Sequence, residues 1–255
     1  MGRRLLAEFL GTSLLVAVVV GSGIAAQRLS PDDTGLQLLE NALSTALGLF
    51  VLVVVFQPIS GAHFNPVVSL ADAVLGTRRW RDLSGYIPTQ ALGGIVGAVA
   101  ANAMFGLPLL QISANVRWSW PHALAETIAT AGLVLVVFVL ARTQRALWIA
   151  PAIGAYIGAA YFFTSSTSFA NPAVTIGRVF SDTFAGIEPW SALGFVLAQF
   201  VGGLLGVLLV RALTPRNTPK TLLSRSEESL RAPTSRLKSG AMSGVKTEAT
   251  GGKSG

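Results

Sequence analysis

Two short stretches decide how this chain folds: SFANPAVTIGR at residues 168–178 and, about a hundred residues earlier, AHFNPVVSL at residues 62–70. Each opens a short apolar run with an Asn-Pro pair. Asn at an N-cap accepts a hydrogen bond from an early helical N–H, and Pro at the first helical position lacks the N–H that would otherwise be orphaned. Asn65-Pro66 and Asn171-Pro172 therefore predict two helix starts, over about 66–76 and 172–180. Neither is long enough to cross a bilayer, whose hydrocarbon core of about 30 Å needs roughly 20 helical residues.

Six longer apolar segments surround them, at about 5–26, 38–57, 84–104, 122–141, 147–164 and 190–213. Of the 255 residues 51% are hydrophobic and 12% charged, about half the charge of a soluble domain. The expected fold is an all-α polytopic membrane protein with six transmembrane helices and two re-entrant half-helices. Arg3 and Arg4 precede the first run as in a signal peptide, but that run continues for about 20 residues and carries Glu8. It reads as a retained span.

The formal charge of +7 does not mark a nucleic-acid surface, because nine of the nineteen Lys and Arg lie beyond position 210, opposed there by Glu227, Glu228 and Glu248 alone. That region, 214–255, is rich in Ser, Thr, Gly, Pro and Lys and lacks aromatics, so it reads as a disordered basic tail after a channel-like domain at 1–213. Cysteine is absent, which excludes disulfides and thiolate metal sites. His63 and His122 are far apart with no acidic cluster, so neither a metal nor a cofactor is expected. No nucleophile stands at usable spacing from a base, and no phosphate-binding glycine loop precedes a Lys, which leaves an enzyme without support.

Basic residues between spans orient the chain. Arg3, Arg4, Arg78, Arg79, Arg81, Arg142, Arg145 and the tail fall on one side of a six-span count, against Arg28, Arg117 and Arg178 on the other. Both termini are expected to be cytoplasmic, in the plasma (inner) membrane.

The chain also repeats itself. LLAEFLGTSLLV (5–16) matches ALAETIATAGLVLV (123–136), pairing Glu8 with Glu126; Gln90, Gly93, Gly94 and Gly97 match Gln199, Gly202, Gly203 and Gly206. Each half, about 3–104 and 121–213, holds three spans and one short helix. Three is odd, so the halves are inverted and their short helices enter from opposite faces to meet near the midplane. Non-helical backbone at that depth persists only where it is buried in protein or lines a watery cavity. The Asn-Pro pairs therefore mark a pore or a binding site.

With AEFLGT in the first span, SGAHFNPVVSL and SFANPAVTIGR at the short helices, and the paired Gln-Gly segments, residues 3–213 resemble the aquaporin and aquaglyceroporin family of major intrinsic proteins. The resemblance implies a pore in each subunit of a homotetramer, small neutral solutes and the lipid bilayer as partners, and Asn65 and Asn171 donating amide N–H groups into the pore centre. The residues agree, since an Asn carbonyl that caps its helix leaves the NH2 free. Two helix N-termini, each about half a positive charge, would repel cations there. The resemblance also implies that Glu8 and Glu126 brace the re-entrant loops; His63 is expected to be a satisfied loop residue rather than a pH gate.

Two departures stand out. The first motif is Asn-Pro-Val, with Val67 where Ala173 stands in the second. More consequentially, the family's filter Arg, three residues after the second Asn, is Val174 here. Gap-free alignment back from each motif puts the other filter positions at Thr45, Ala159 and Ser168, giving a wide ring of hydroxyls and methyls. This resembles a bacterial subgroup linked to arsenite and other metalloids, so glycerol, water and arsenite are the expected solutes. Arg178 lies one turn beyond Val174, about 6 Å farther along the helix; its expected role is an ion pair with Asp182, the alternative being a vestibule charge. The rival readings are an ion-coupled transporter, which also uses inverted repeats, a water-selective pore and a non-conducting scaffold.

Overall fold

A computed structural model describes residues 1–214. Six helices in it are long and apolar enough to cross a membrane. They are α1 (Gly2–Leu29), α2 (Thr34–Ser60), α4 (Trp80–Met104), α5 (Trp120–Arg142), α6 (Ile149–Phe163, entered through one 3-10 turn at Ala146–Trp148) and α8 (Pro189–Leu213). The half-helices are α3 (Pro66–Val74) and α7 (Pro172–Arg178). Both begin at the proline that the sequence predicts and end about two residues early. The reading of 214–255 as a disordered tail falls outside the described residues, apart from Thr214. That residue is packed, donating to the Val210 carbonyl at 2.6 Å and accepting from Arg142 Nη1 at 3.1 Å.

Local chemistry explains where the spans stop and start. Asp33 caps α2 by accepting from the Leu36 N–H at 2.9 Å, and Ser119 caps α5, followed by Pro121 in the first turn. α2 ends on Gly61, whose φ of +97° is a left-handed C-cap that costs glycine little.

The repeat seen in the sequence is the packing plan. α1 lies along α4, and α5 lies along α8. The aligned glycines make these approaches close: a Cβ at Gly93 would sit 2.7 Å from the Phe9 carbonyl oxygen, and one at Gly206 would sit 2.8 Å from that of Ala131. Small residues allow helices to approach backbone to backbone where lipid supplies no hydrophobic drive. The half-helices fill the space between the two halves, α3 against α8 and α7 against α4. With six crossings, the start of α1 and the end of α8 share one face, called here the terminal face.

Candidate functional site

The two half-helices meet through their asparagines. Asn65 Oδ1 accepts from the Val67 N–H at 2.9 Å, and Asn171 Oδ1 accepts from the Ala173 N–H at 2.9 Å and the Val174 N–H at 3.4 Å. Each Nδ2 then crosses to the other loop: Asn65 donates to the Ala170 carbonyl and Asn171 to the Phe64 carbonyl, both at 2.8 Å. The sequence suggested wholly free amide groups. In the structure one of the two N–H groups on each amide is spent on the crossed bond, and one remains.

The loops entering these helices carry unusual backbone. Ala62 and Phe64 in the first, and Thr167, Ser168 and Ala170 in the second, all have φ between +48° and +61°. Left-handed conformations cost about 1–3 kcal/mol for non-glycine residues and persist only when surroundings hold them. A buried carboxylate sits behind each loop. Glu8 accepts from the N–H groups of His63 (3.1 Å) and Phe64 (2.8 Å) and from Gln90 Nε2 (2.7 Å). Glu126 accepts from Phe169 and Ala170 (both 2.9 Å), from Ser166 Oγ (2.6 Å) and from Gln199 Nε2 (2.6 Å). Donors alone converge on both groups, which matches the acceptor-only ionised carboxylate.

His63 belongs to the same support. Its Nδ1 lies 3.0 Å from Ser69 Oγ and its Nε2 lies 3.2 Å from Asp72 Oδ2, which also accepts from Arg78 Nε at 3.1 Å. Arg78 in turn donates to the Ser60 carbonyl at 2.9 Å and stacks over Tyr86 at 4.2 Å.

Both asparagines line a cavity of about 360 Å³ whose wall extends from Thr77 and Arg78 on one side of them to Phe169 and Arg178 on the other. Toward the terminal face its wall is mainly aliphatic, with Leu49, Val53, Val137, Phe138, Ile149 and Ile153. Toward the opposite face it is lined by Thr45, Tyr161, Ser168, Phe169, Val174 and Arg178. The expected positions Thr45, Ser168 and Val174 thus share one level of the cavity.

Ala159 does not. It is exposed on the outside of α6, and Ile157 and Tyr161 line the cavity instead. Ile157 and Tyr161 each stand two residues from the position that the gap-free count from Asn171 reaches. A two-residue error rotates a helical position by about 200°, to the opposite face. The ring is therefore not free of aromatics. The Tyr161 hydroxyl lies 3.1 Å from Thr45 Oγ1, across the gap between α6 and α2. A fourfold spacing did mark this residue: Ile149, Ile153, Ile157 and Tyr161 repeat at i, i+4 and so fall on one face.

Arg178 is not paired with Asp182. Asp182 Oδ1 accepts from the Ala114 N–H at 3.0 Å, whereas Arg178 Nε donates to the Ala185 carbonyl and its guanidinium carbon lies 3.4 Å from the Phe169 ring centroid. Arg117, in the loop before α5, anchors the neighbouring segment by donating to the Gly186 and Phe184 carbonyls, each at 2.7 Å. Burial lowers the Arg117 pKa from the ordinary arginine value, and these carbonyl contacts offset part of that cost. Val67 turns its extra methyls away from the cavity and packs against Gly203 of α8, where a Cβ would overlap Val67 Cγ1. The Val for Ala exchange between the motifs is thus absorbed at a helix contact.

Two inverted half-helices capped by asparagine, set end to end beside one cavity that both asparagines line in a six-span bundle, define a membrane channel of the re-entrant-loop class. A family model described as Major intrinsic protein matches residues 1–168. Over 211 residues the chain is 46% identical to "Aquaglyceroporin AqpS" of Rhizobium meliloti (strain 1021), covering 82% of this chain and 89% of that one. It is 29% identical over 233 residues to "Aquaporin Z" of Brucella melitensis, covering 85% of this chain and all of that one. The X-ray structure of the aquaglyceroporin from Plasmodium falciparum shares the fold, with a TM-score of 0.62 at 21% identity over 82% of this chain and 94% of that one. The chain belongs to the major intrinsic protein family of membrane channels.

Proposed function

We propose that the protein conducts small neutral solutes passively through a filter of the wider, aquaglyceroporin kind, with glycerol, water and neutral metalloid hydroxides such as arsenous acid as its solutes. The observation that carries this reading is Val174 on the cavity wall, in the place where the family resemblance leads one to expect a filter arginine. An isopropyl group there leaves room and donates no hydrogen bond, while Ser168 and the remaining asparagine N–H groups exchange hydrogen bonds with a solute hydroxyl. A 46% identical relative carries the name aquaglyceroporin, which supports solutes of glycerol size. Arsenous acid is uncharged near neutral pH and presents three hydroxyls, as glycerol does. The same reading has four subunits, each with its own pore, in the plasma membrane, and both termini in the cytoplasm.

The test is permeability of the purified full chain in liposomes to glycerol, arsenite and water, measured together before and after Val174→Arg. The larger solutes should lose far more flux than water. Equal losses for all three would remove Val174 from the filter, and flux that collapsed with a proton or sodium gradient would turn the reading to a coupled transporter.

A further inference from the structure

We infer that Arg178 is the residue that excludes cations and grips solute in this pore, acting with the Ser168 hydroxyl, and that it favours neutral solutes carrying two adjacent oxygens. The inference rests on the neutral-solute reading above. Arg178 is one helical turn beyond Val174, but helical side chains slant back toward the N-terminus. Its guanidinium accordingly lies over Phe169, a residue that precedes Asn171, and both line the cavity. The charge thus sits near the level of Val174 although its Cα is farther out.

Three observations give that charge a task. Arg178 is only 2% exposed, yet among the described residues no carboxylate lies within ion-pair distance of it. Its hydrogen bond to protein runs from Nε to the Ala185 carbonyl. A guanidinium has five N–H donors, so four remain for whatever fills the cavity. Ser168 Oγ is buried with no protein partner. Thr45 and Tyr161, by contrast, satisfy one another.

The unclaimed polar groups at this level are therefore the Nη hydrogens and one serine hydroxyl, facing a wall that includes Val174 and Ile157. A planar donor fork is satisfied best by two neighbouring acceptors. A vicinal diol, or a centre bearing several hydroxyls, offers such a pair and turns its other side to the apolar wall. A cation meets a positive charge that has no ion-pair partner, in a low-dielectric passage.

The experiment uses the full chain in liposomes, with entry of 1,2-propanediol and 1,3-propanediol followed by light scattering and sodium leak by a trapped indicator. The wild type should pass the 1,2-isomer several-fold faster and be tight to sodium, the scale expected for a charge-assisted hydrogen bond. Arg178→Leu should bring the diol ratio to about one and raise sodium leak on the order of ten-fold. Arg178→Lys should stay tight to sodium while losing the diol preference, because lysine keeps the charge without the fork; Ser168→Ala should reduce the preference alone. Lysine separates the two properties, which a merely structural role would not do, and it decides the matter if the leucine variant fails to fold. A Lys variant unchanged in both readouts, or a folded Leu variant with wild-type ratio and leak, overturns the inference and leaves the channel reading standing. A wild type that passes neither diol nor glycerol overturns both.

Discussion

Exchanging Glu126 for Gln removes one negative charge from behind the second loop and turns one acceptor oxygen into a donor. Oε1 accepts from Ser166 and Phe169, and Oε2 from Ala170 and Gln199. Ser166 can rotate and Gln199 can turn its unpartnered Oε1 inward, but a backbone N–H cannot. Whichever way the new amide sits, one of the two loop N–H groups faces a donor. That loss costs about 1–3 kcal/mol, and the three surviving bonds each weaken by about 1 kcal/mol on becoming neutral. Relief of the buried charge returns part of this, leaving about 3 kcal/mol. Glu8 accepts three bonds rather than four, so Glu8→Gln should cost about one bond less, roughly 2 kcal/mol. Thermal unfolding of the detergent-solubilised protein reads both, at about 2–4 °C per kcal/mol for a chain of this length. Glu126→Gln should melt lowest and lose solute flux, with Glu8→Gln between it and the wild type. A Glu126→Gln protein within about 2 °C of the wild type, with unchanged flux, would refute the claim that the carboxylate holds the left-handed residues; a reversed order would refute the bond counting.

Gly203→Ala should destabilise by about 1–3 kcal/mol through overpacking against Val67, and Val67→Ala added to it should restore most of the loss in a double-mutant cycle of melting temperatures. Gly94→Ala should resist any such rescue, because its Cβ would meet the backbone carbonyl of Ala173. Trp at position 174 should abolish glycerol entry into liposomes while Trp at 159 leaves it within about two-fold of wild type, since Val174 is on the cavity wall and Ala159 on the outside. Asp33→Ala should cost about 1 kcal/mol of stability with no change in flux, because that cap lies at the end of α2 remote from the asparagines.

The architecture was legible wherever the signal was local and periodic. Asn-Pro pairs name their own helix starts, spans announce themselves by length, and the matched glycines and glutamates disclose the inverted repeat. Glu8 and Glu126 were readable as braces through the family resemblance, and their backbone partners are in the loops that resemblance implied. What escaped was rotation and reach. A gap-free count back from Asn171 lands on Ala159, two residues from both Ile157 and Tyr161, and a two-residue slip on a helix reverses the face. Asp182 looked like the partner of Arg178 at the right spacing, but its carboxylate is taken by the Ala114 N–H from a distant loop. Long-range contacts of that kind leave no trace in local spacing.

The crossed amide bonds between the two loops have a consequence for biosynthesis. Asn65 and Ala170 are 105 residues apart, and Phe64 and Asn171 are 107 apart. At a synthesis rate of about 5–20 residues per second, the first loop waits roughly 5–20 s before its partner leaves the ribosome. During that interval the Asn65 amide and Phe64 carbonyl lie at membrane depth without their final hydrogen bonds, needing water or a helper protein to satisfy them. Closure of the centre therefore waits on the second loop, and until that loop is made the polar groups of the first lack their final partners.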